Sequence, residues 1–211
     1  MGLVWHDVSI PIREGMTVWP GDVPYSIAPS SRIDNGASTN VSAITLSTHC
    51  GSHVDAPWHF ENDGARLDQV PKNLFFGEAA VIDCTGKVIV TAEDLGKANL
   101  PPRILIKTDN SSFPSDPFRT DYVALDPDAA QRMVDEGVRL VGVDALSVAP
   151  YKQPGQPTHH ILLQNNVLIV EGLRLMGVPA GDCWFTVLPL PLEGADGAPC
   201  RAFIGWEDLH A

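Results

Sequence analysis

Five of the seven histidines in this chain fall in two places: His49, His53 and His59, with Asp55 among them, and then His159 and His160, followed by Glu171. Imidazole nitrogens and carboxylate oxygens are the ligand set of a catalytic zinc or similar divalent ion that keeps one position open for water. Such an ion lowers the pKa of its water toward about 7 and polarises a carbonyl, so a metal-bound hydroxide can attack that carbonyl at neutral pH. A helix would also bring His49 and His53 to one face, as in an HExxH site. Gly51, Val54 and Pro57 oppose a helix, however, and no glutamate follows His49. The spacing therefore predicts a strand in which residues 49, 51, 53 and 55 share a face. Gly51 would leave space for the ion between the two imidazoles, and Cys50 would point to the opposite side. Pro57 must end or bend the strand, which should lift His59 out of the ligand row and toward substrate. A lone histidine on a strand is usually a hydrogen-bonded structural residue. Three in one short segment, in phase with an aspartate, point instead to a metal site. No G-x-S-x-G elbow supports a serine hydrolase.

The elements that must position these residues are short and punctuated by 18 prolines and 18 glycines. Segments 41–46, 79–84, 103–107, 138–143, 167–170, 183–188 and 201–204 are apolar or β-branched runs and read as strands. Asp126-Pro127 offers an N-cap and a first-turn proline, Ala130, Met133 and Val134 are spaced to face a core, and Gly137 can terminate the helix. A shorter helix is predicted from Thr91, where Thr91 and Asp94 approximate a capping box, and another over 159–164. Many strands with few helices predict an α/β domain with a mixed, barrel-like sheet.

At 211 residues the chain fits a single domain, 1–211, with a sizeable core. Its formal charge of -12 repels phosphate backbones and anionic lipid, so no nucleic-acid partner is expected. No apolar run approaches the roughly 20 residues that span a bilayer, and 1–7 lacks a basic region followed by an apolar one. No membrane association and a cytoplasmic location are expected. Cys50, Cys84, Cys183 and Cys200 show no CxxC pairing and read as free thiols, the last three as small buried residues in strands.

The stretch Ser47-Thr48-His49-Cys50-Gly51-Ser52-His53-Val54-Asp55-Ala56-Pro57-Trp58-His59-Phe60 resembles the signature of the cyclase-like metal hydrolases, a family that includes bacterial kynurenine formamidase and isatin hydrolase. Asp7-Val8-Ser9, Val18-Trp19-Pro20-Gly21-Asp22, Gly142-Val143-Asp144-Ala145-Leu146-Ser147 and the segments 159–163 and 169–173 extend the likeness over nearly the whole chain. The resemblance implies a swivelling β/β/α domain, a homodimer or higher homo-oligomer, and about two zinc or manganese ions per chain. It implies His49, His53 and Asp55 as ligands of the first ion, with Asp55 able to bridge to a second held also by His159 and Glu171. His59 matches the catalytic histidine, and the spacing favours His159 over His160 as the ligand. Compact length aligns the chain with the formamidases, implying hydrolysis of a small-molecule amide, N-formyl-L-kynurenine, to kynurenine and formate. Trp19, Trp58 and Phe60 are candidates for an aromatic substrate wall. The tail 205–211 departs from that pattern and leaves the substrate open. An isatin-like cyclic amide or lactone hydrolase is one alternative, and a non-enzymatic metal-binding module is another.

Overall fold

In a computed structural model, described for residues 3–96, 99–112 and 117–207, period-two alternation builds two packed layers from one set of strands. In chain order the elements are β1 (Leu3–Asp7), β2 (Ser26–Ser31), β3 (Val41–Thr45), β4 (His53–Asp55), β5 (Phe76–Asp83) and β6 (Arg103–Lys107). They continue with α1 (Pro127–Asp135), β7 (Leu140–Val143), α2 (Pro157–Gln164), β8 (Leu168–Glu171), β9 (Gly181–Pro189) and β10 (Gly197–Glu207). Neighbouring strands run in the order β10-β4-β8-β7-β6-β5-β9, and β9 pairs again with β10, which closes the sheet into a barrel. The steps from β5 through β6 and β7 to β8 are parallel, and the others are antiparallel. β1 lies outside the ring, antiparallel to the far end of β10.

Leu105, Leu140, Leu168, Val170, Val54 and Phe185 belong to the core inside the barrel. Their chain neighbours Ile104, Ile106, Val141 and Ile169 point outward and pack against Met133 of α1 and Leu162 and Leu163 of α2. Strands buried on both faces read as continuous apolar runs, which is why β6 lies where its sequence predicts. The α1 cap also forms as expected: the Asp126 carboxylate accepts from the Ala129 amide at 2.7 Å, with Pro127 in the first turn. Such a cap contributes about 1 kcal/mol.

Three expectations are corrected. The Thr91 capping box forms, but the element behind it is a single 3-10 turn, Ala92–Leu95, because Gly96 ends it at once. The strand expected over 49–55 begins only at His53, with a turn before it. Cys84 is buried just beyond β5 rather than within it, and Cys200 on β10 is only partly buried. All four cysteines are free. β1 and β2 went unread. β2 and β3 form a separate two-stranded sheet in which the paired Ile27 and Ile44 are both exposed. Among the described residues no helix is long and apolar enough to cross a membrane.

Candidate functional site

β4 carries the first site residues, and its two neighbours supply the rest. Pairing with β8 sets His53 directly opposite Glu171, and pairing with β10 sets Asp55 opposite Gly197. Since Val54 and Val170 face the barrel core, alternation turns His53, Asp55 and Glu171 to the outer side, where α2 packs. Two segments far apart in sequence thus meet through strand register. His159, buried in α2, brings its Nε2 to 3.5 Å from Glu171 Oε1. His160, the next residue around the helix, turns away, and its Nδ1 lies 2.6 Å from Glu61 Oε1.

His49 reaches the site through a turn, not along a strand. Gly51 adopts φ 67°, a conformation other residues take only at a cost, and this directs its carbonyl back onto His53. The carbonyl can only accept, so His53 Nδ1–H donates to it at 2.9 Å and the Nε2 lone pair is left facing Glu171 Oε2 at 3.3 Å and Asp55 Oδ1 at 3.4 Å. The missing Gly51 side chain therefore serves the turn and its packing rather than an ion, since a Cβ there would meet Ile12 Cγ1 at 3.1 Å and Met16 Cε at 3.6 Å. Cys50 points away from the cluster, as predicted, with Sγ 3.7 Å from Met16 Sδ.

The charges are tightly matched. His49 Nδ1 lies 2.9 Å from Asp55 Oδ1, and its Nε2 lies 2.9 Å from Asp196 Oδ2. Burial alone would lower the His49 pKa, but Asp55 and Asp196 outweigh it and raise it to about 10. For Asp55, burial pushes upward, yet His59, His49 and His53 together hold the carboxyl well below its usual range. Glu171 is pushed up by burial and by Asp55, and its contacts with His159 and His53 bring it below the usual value. Glu171 Oε1 also accepts from the Val148 amide at 2.7 Å.

Among the described residues three buried side-chain atoms have no hydrogen-bond partner, and two of them, Asp55 Oδ2 and His159 Nδ1, belong to this cluster. An unpaired buried carboxylate oxygen is costly, and a cation is the partner that satisfies it. His53, Asp55 and Glu171 each offer one ligand atom within 4.8 Å of the others, as do His49, Asp55 and His59. Asp55 is common to both groups, so the residues fit a pair of divalent ions. His49 thereby falls in a group apart from His53, and His59 stands nearer the cluster than the sequence suggests. Pro57 does end β4, and a 3-10 turn, Pro57–His59, follows. It stacks the His59 ring on His49, with centroids 3.9 Å apart, and sets His59 Nδ1 3.6 Å from Asp196 Oδ2.

A cleft of about 270 Å³ opens over this cluster. Phe60 lines it and stacks on His159 at 4.3 Å, and Trp19 lines it in contact with Tyr151 and Phe118. Leu146 and Ser147 complete part of the wall. Trp58 is not brought to the cleft: the Arg66 guanidinium covers its ring at 3.8 Å. Asp144 has a structural task, accepting from Thr108 Oγ1 and Ser111 Oγ, each at 2.7 Å. Sequence reading missed Asp196. Its one signal is an Asp-Gly pair just before the apolar run of β10, a pattern that ordinarily marks only a turn.

The sequence pattern of the Cyclase family matches residues 6–150. The chain is 38% identical to the kynurenine formamidase of Geobacillus thermodenitrificans over 204 residues, 94% of this chain and 95% of that protein. A structure described as a predicted metal-dependent hydrolase from Bacillus stearothermophilus superposes with a TM-score of 0.84 at 31% identity, covering 97% of this chain and 99% of that one. Isatin hydrolase A of Labrenzia aggregata shares the fold, with a TM-score of 0.86 at 21% identity over 98% of this chain and 94% of its own. A barrel strand bearing His53 and Asp55, a sequence signature around it and near full-length likeness agree: the chain belongs to the Cyclase family of hydrolases.

Proposed function

We propose that this protein is a metal-dependent amide hydrolase that converts N-formyl-L-kynurenine to kynurenine and formate. The observation that carries the reading is the convergence of His49, His53, Asp55, His59, His159 and Glu171 beneath one aromatic-walled cleft. The relative named kynurenine formamidase, at 38% identity over nearly its whole length, supports the choice of substrate. His49, His53, Asp55, His159 and Glu171 would hold two divalent ions, zinc or manganese, with Asp55 shared between them. When bound, such ions polarise the formyl carbonyl and make a water acidic enough to attack it near neutral pH.

The chain's own side chains supply the rest of the chemistry. Trp19 and Phe60 offer flat apolar faces to the aryl ring and restrict water around the scissile bond. Hydrolysis adds water across the formyl carbon–nitrogen bond, so the departing arylamine nitrogen must gain a proton. His59, whose Nδ1 faces Asp196, has Nε2 available to carry that proton from the attacking water to the leaving nitrogen. Four unpaired thiols support a reducing compartment such as the cytoplasm, and the exposed apolar β2–β3 sheet supports a homodimer or higher homo-oligomer.

The test is a hydrolysis screen of N-formylkynurenine against isatin with protein loaded with zinc or manganese. Release of kynurenine, abolished by a chelator and restored by metal, is the expected result. Ring opening of isatin without formamide cleavage would move the chain to the cyclic-amide class. Metal binding with no turnover of either compound would leave a non-enzymatic metal module.

A further inference from the structure

We propose that Asp196 is a positioning residue whose single oxygen Oδ2 anchors two imidazoles at once, turning His49 toward the metal and His59 toward the cleft. Oδ2 lies 2.9 Å from His49 Nε2 and 3.6 Å from His59 Nδ1, and the two rings stack at 3.9 Å. An N–H that donates to a carboxylate fixes the tautomer of its ring. For His49 this frees Nδ1, the nitrogen beside Asp55 Oδ1, to act as a ligand. Ligating histidines commonly donate their other N–H to a carboxylate in this way, which sets ring orientation and raises basicity. For His59 the contact is a looser ion-pair separation of 3.6 Å, which favours the Nδ1–H tautomer and leaves Nε2 for proton transfer; such distances in a substrate-free site commonly shorten in the substrate complex.

Asp196 is itself held. Its Oδ1 accepts from Thr48 Oγ1 at 3.1 Å, and its backbone carbonyl accepts from the Ala56 amide at 2.9 Å, next to β4. The anchor is thereby tied to both ends of the segment that carries His49 and His53. It ties the turn before β10 to the site through side-chain chemistry, in addition to the β10–β4 pairing.

The inference rests on the hydrolase reading for its kinetic part, and two of its three tests need no turnover. Asp196→Ala, and Asp196→Asn as the variant that keeps volume, would be compared with native protein by zinc affinity in a chelator competition. The His59 tautomer would be read from the imidazole 15N spectrum, and kcat and KM would be measured with and without His59→Gln. The expected result is zinc affinity lowered roughly 10–100-fold, with His59 shifting from one tautomer to a mixture. The kcat should fall at least about tenfold at little-changed KM, and that loss should nearly vanish when His59 is already Gln. Unchanged zinc affinity, an unchanged His59 tautomer, or an equal kcat loss in both backgrounds would overturn the proposal. If native protein cleaves no formamide, the hydrolase reading fails, while the metal and tautomer readouts still decide the role of Asp196.

Discussion

Gly172, immediately after Glu171, adopts φ 71°, and a Cβ built there would lie 2.7 Å from the Gly51 carbonyl oxygen and 3.2 Å from its carbon. Gly172→Ala therefore carries two costs. Holding a residue with a Cβ in the left-handed region costs about 1–2 kcal/mol, and forcing backbone apart in a packed site costs about 1–3 kcal/mol more. The sum is roughly 2–5 kcal/mol, and at about 2–4 °C per kcal/mol for a domain of this size the Tm should drop by roughly 4–20 °C. The displaced carbonyl is the one that receives His53 Nδ1–H, so metal affinity should fall along with stability, by roughly 10–100-fold. Gly177→Ala is the control: its φ is 80° and nothing lies within 4 Å of the added carbon, so it isolates the backbone term at about 1–2 kcal/mol. Thermal unfolding and chelator competition on both variants decide the matter. Equal Tm losses in the two, or native metal affinity in Gly172→Ala, would refute the argument that the Gly51–Gly172 contact aims His53.

His53→Ala should sharply reduce the bound metal found by elemental analysis, because Nε2 is the nitrogen turned to Glu171 and Asp55. Glu171→Gln should lower metal occupancy and kcat together, and full occupancy in that variant would leave Glu171 as no more than an acceptor for the Val148 amide. His59→Ala should retain the metals and fold while kcat falls by roughly 10²–10⁴, and metal loss would identify His59 as a ligand. The pH dependence of the metal-free protein follows from His49. Its pKa rises from 6.5 to about 10 on folding, so this contribution to stability is full below pH 6.5 and is lost as pH rises through about 10. Chelator-treated protein should accordingly show a Tm that declines from pH 7 to 10, and His49→Gln should flatten that decline.

The sequence was most readable where one physical signal dominated. β6 lies within the bounds of its apolar run because both faces are buried, and α1 forms behind its Asp126 cap because capping is a local interaction. β1 and β2 went unread since each is exposed along nearly its whole length, and Pro29 inside β2 argues against a strand. His49 reached the expected place by an unexpected route. Period-two reasoning put it in line with His53, whereas the positive φ of Gly51 makes a turn and leaves His49 in a separate ligand group. The choice between His159 and His160 became physical only once α2 was docked, with one residue facing Glu171 and the other Glu61. Asp196 could not have been read from spacing, because a loop residue gains its meaning from what the fold brings beside it.

β10 also sets the order in which this site is built during synthesis. It is the strand that closes the ring between β9 and β4, and its far end holds β1. A ribosome releases the histidine segment well before Asp196, and β10 after the other strands of the ring. Until then β4 and β9 are open edges, and His49 lacks its second carboxylate. Pairings this distant in sequence make folding slow and leave intermediates prone to association. Barrel closure and completion of the candidate metal cluster are therefore one event, because Asp196 reaches His49 only when β10 pairs with β4.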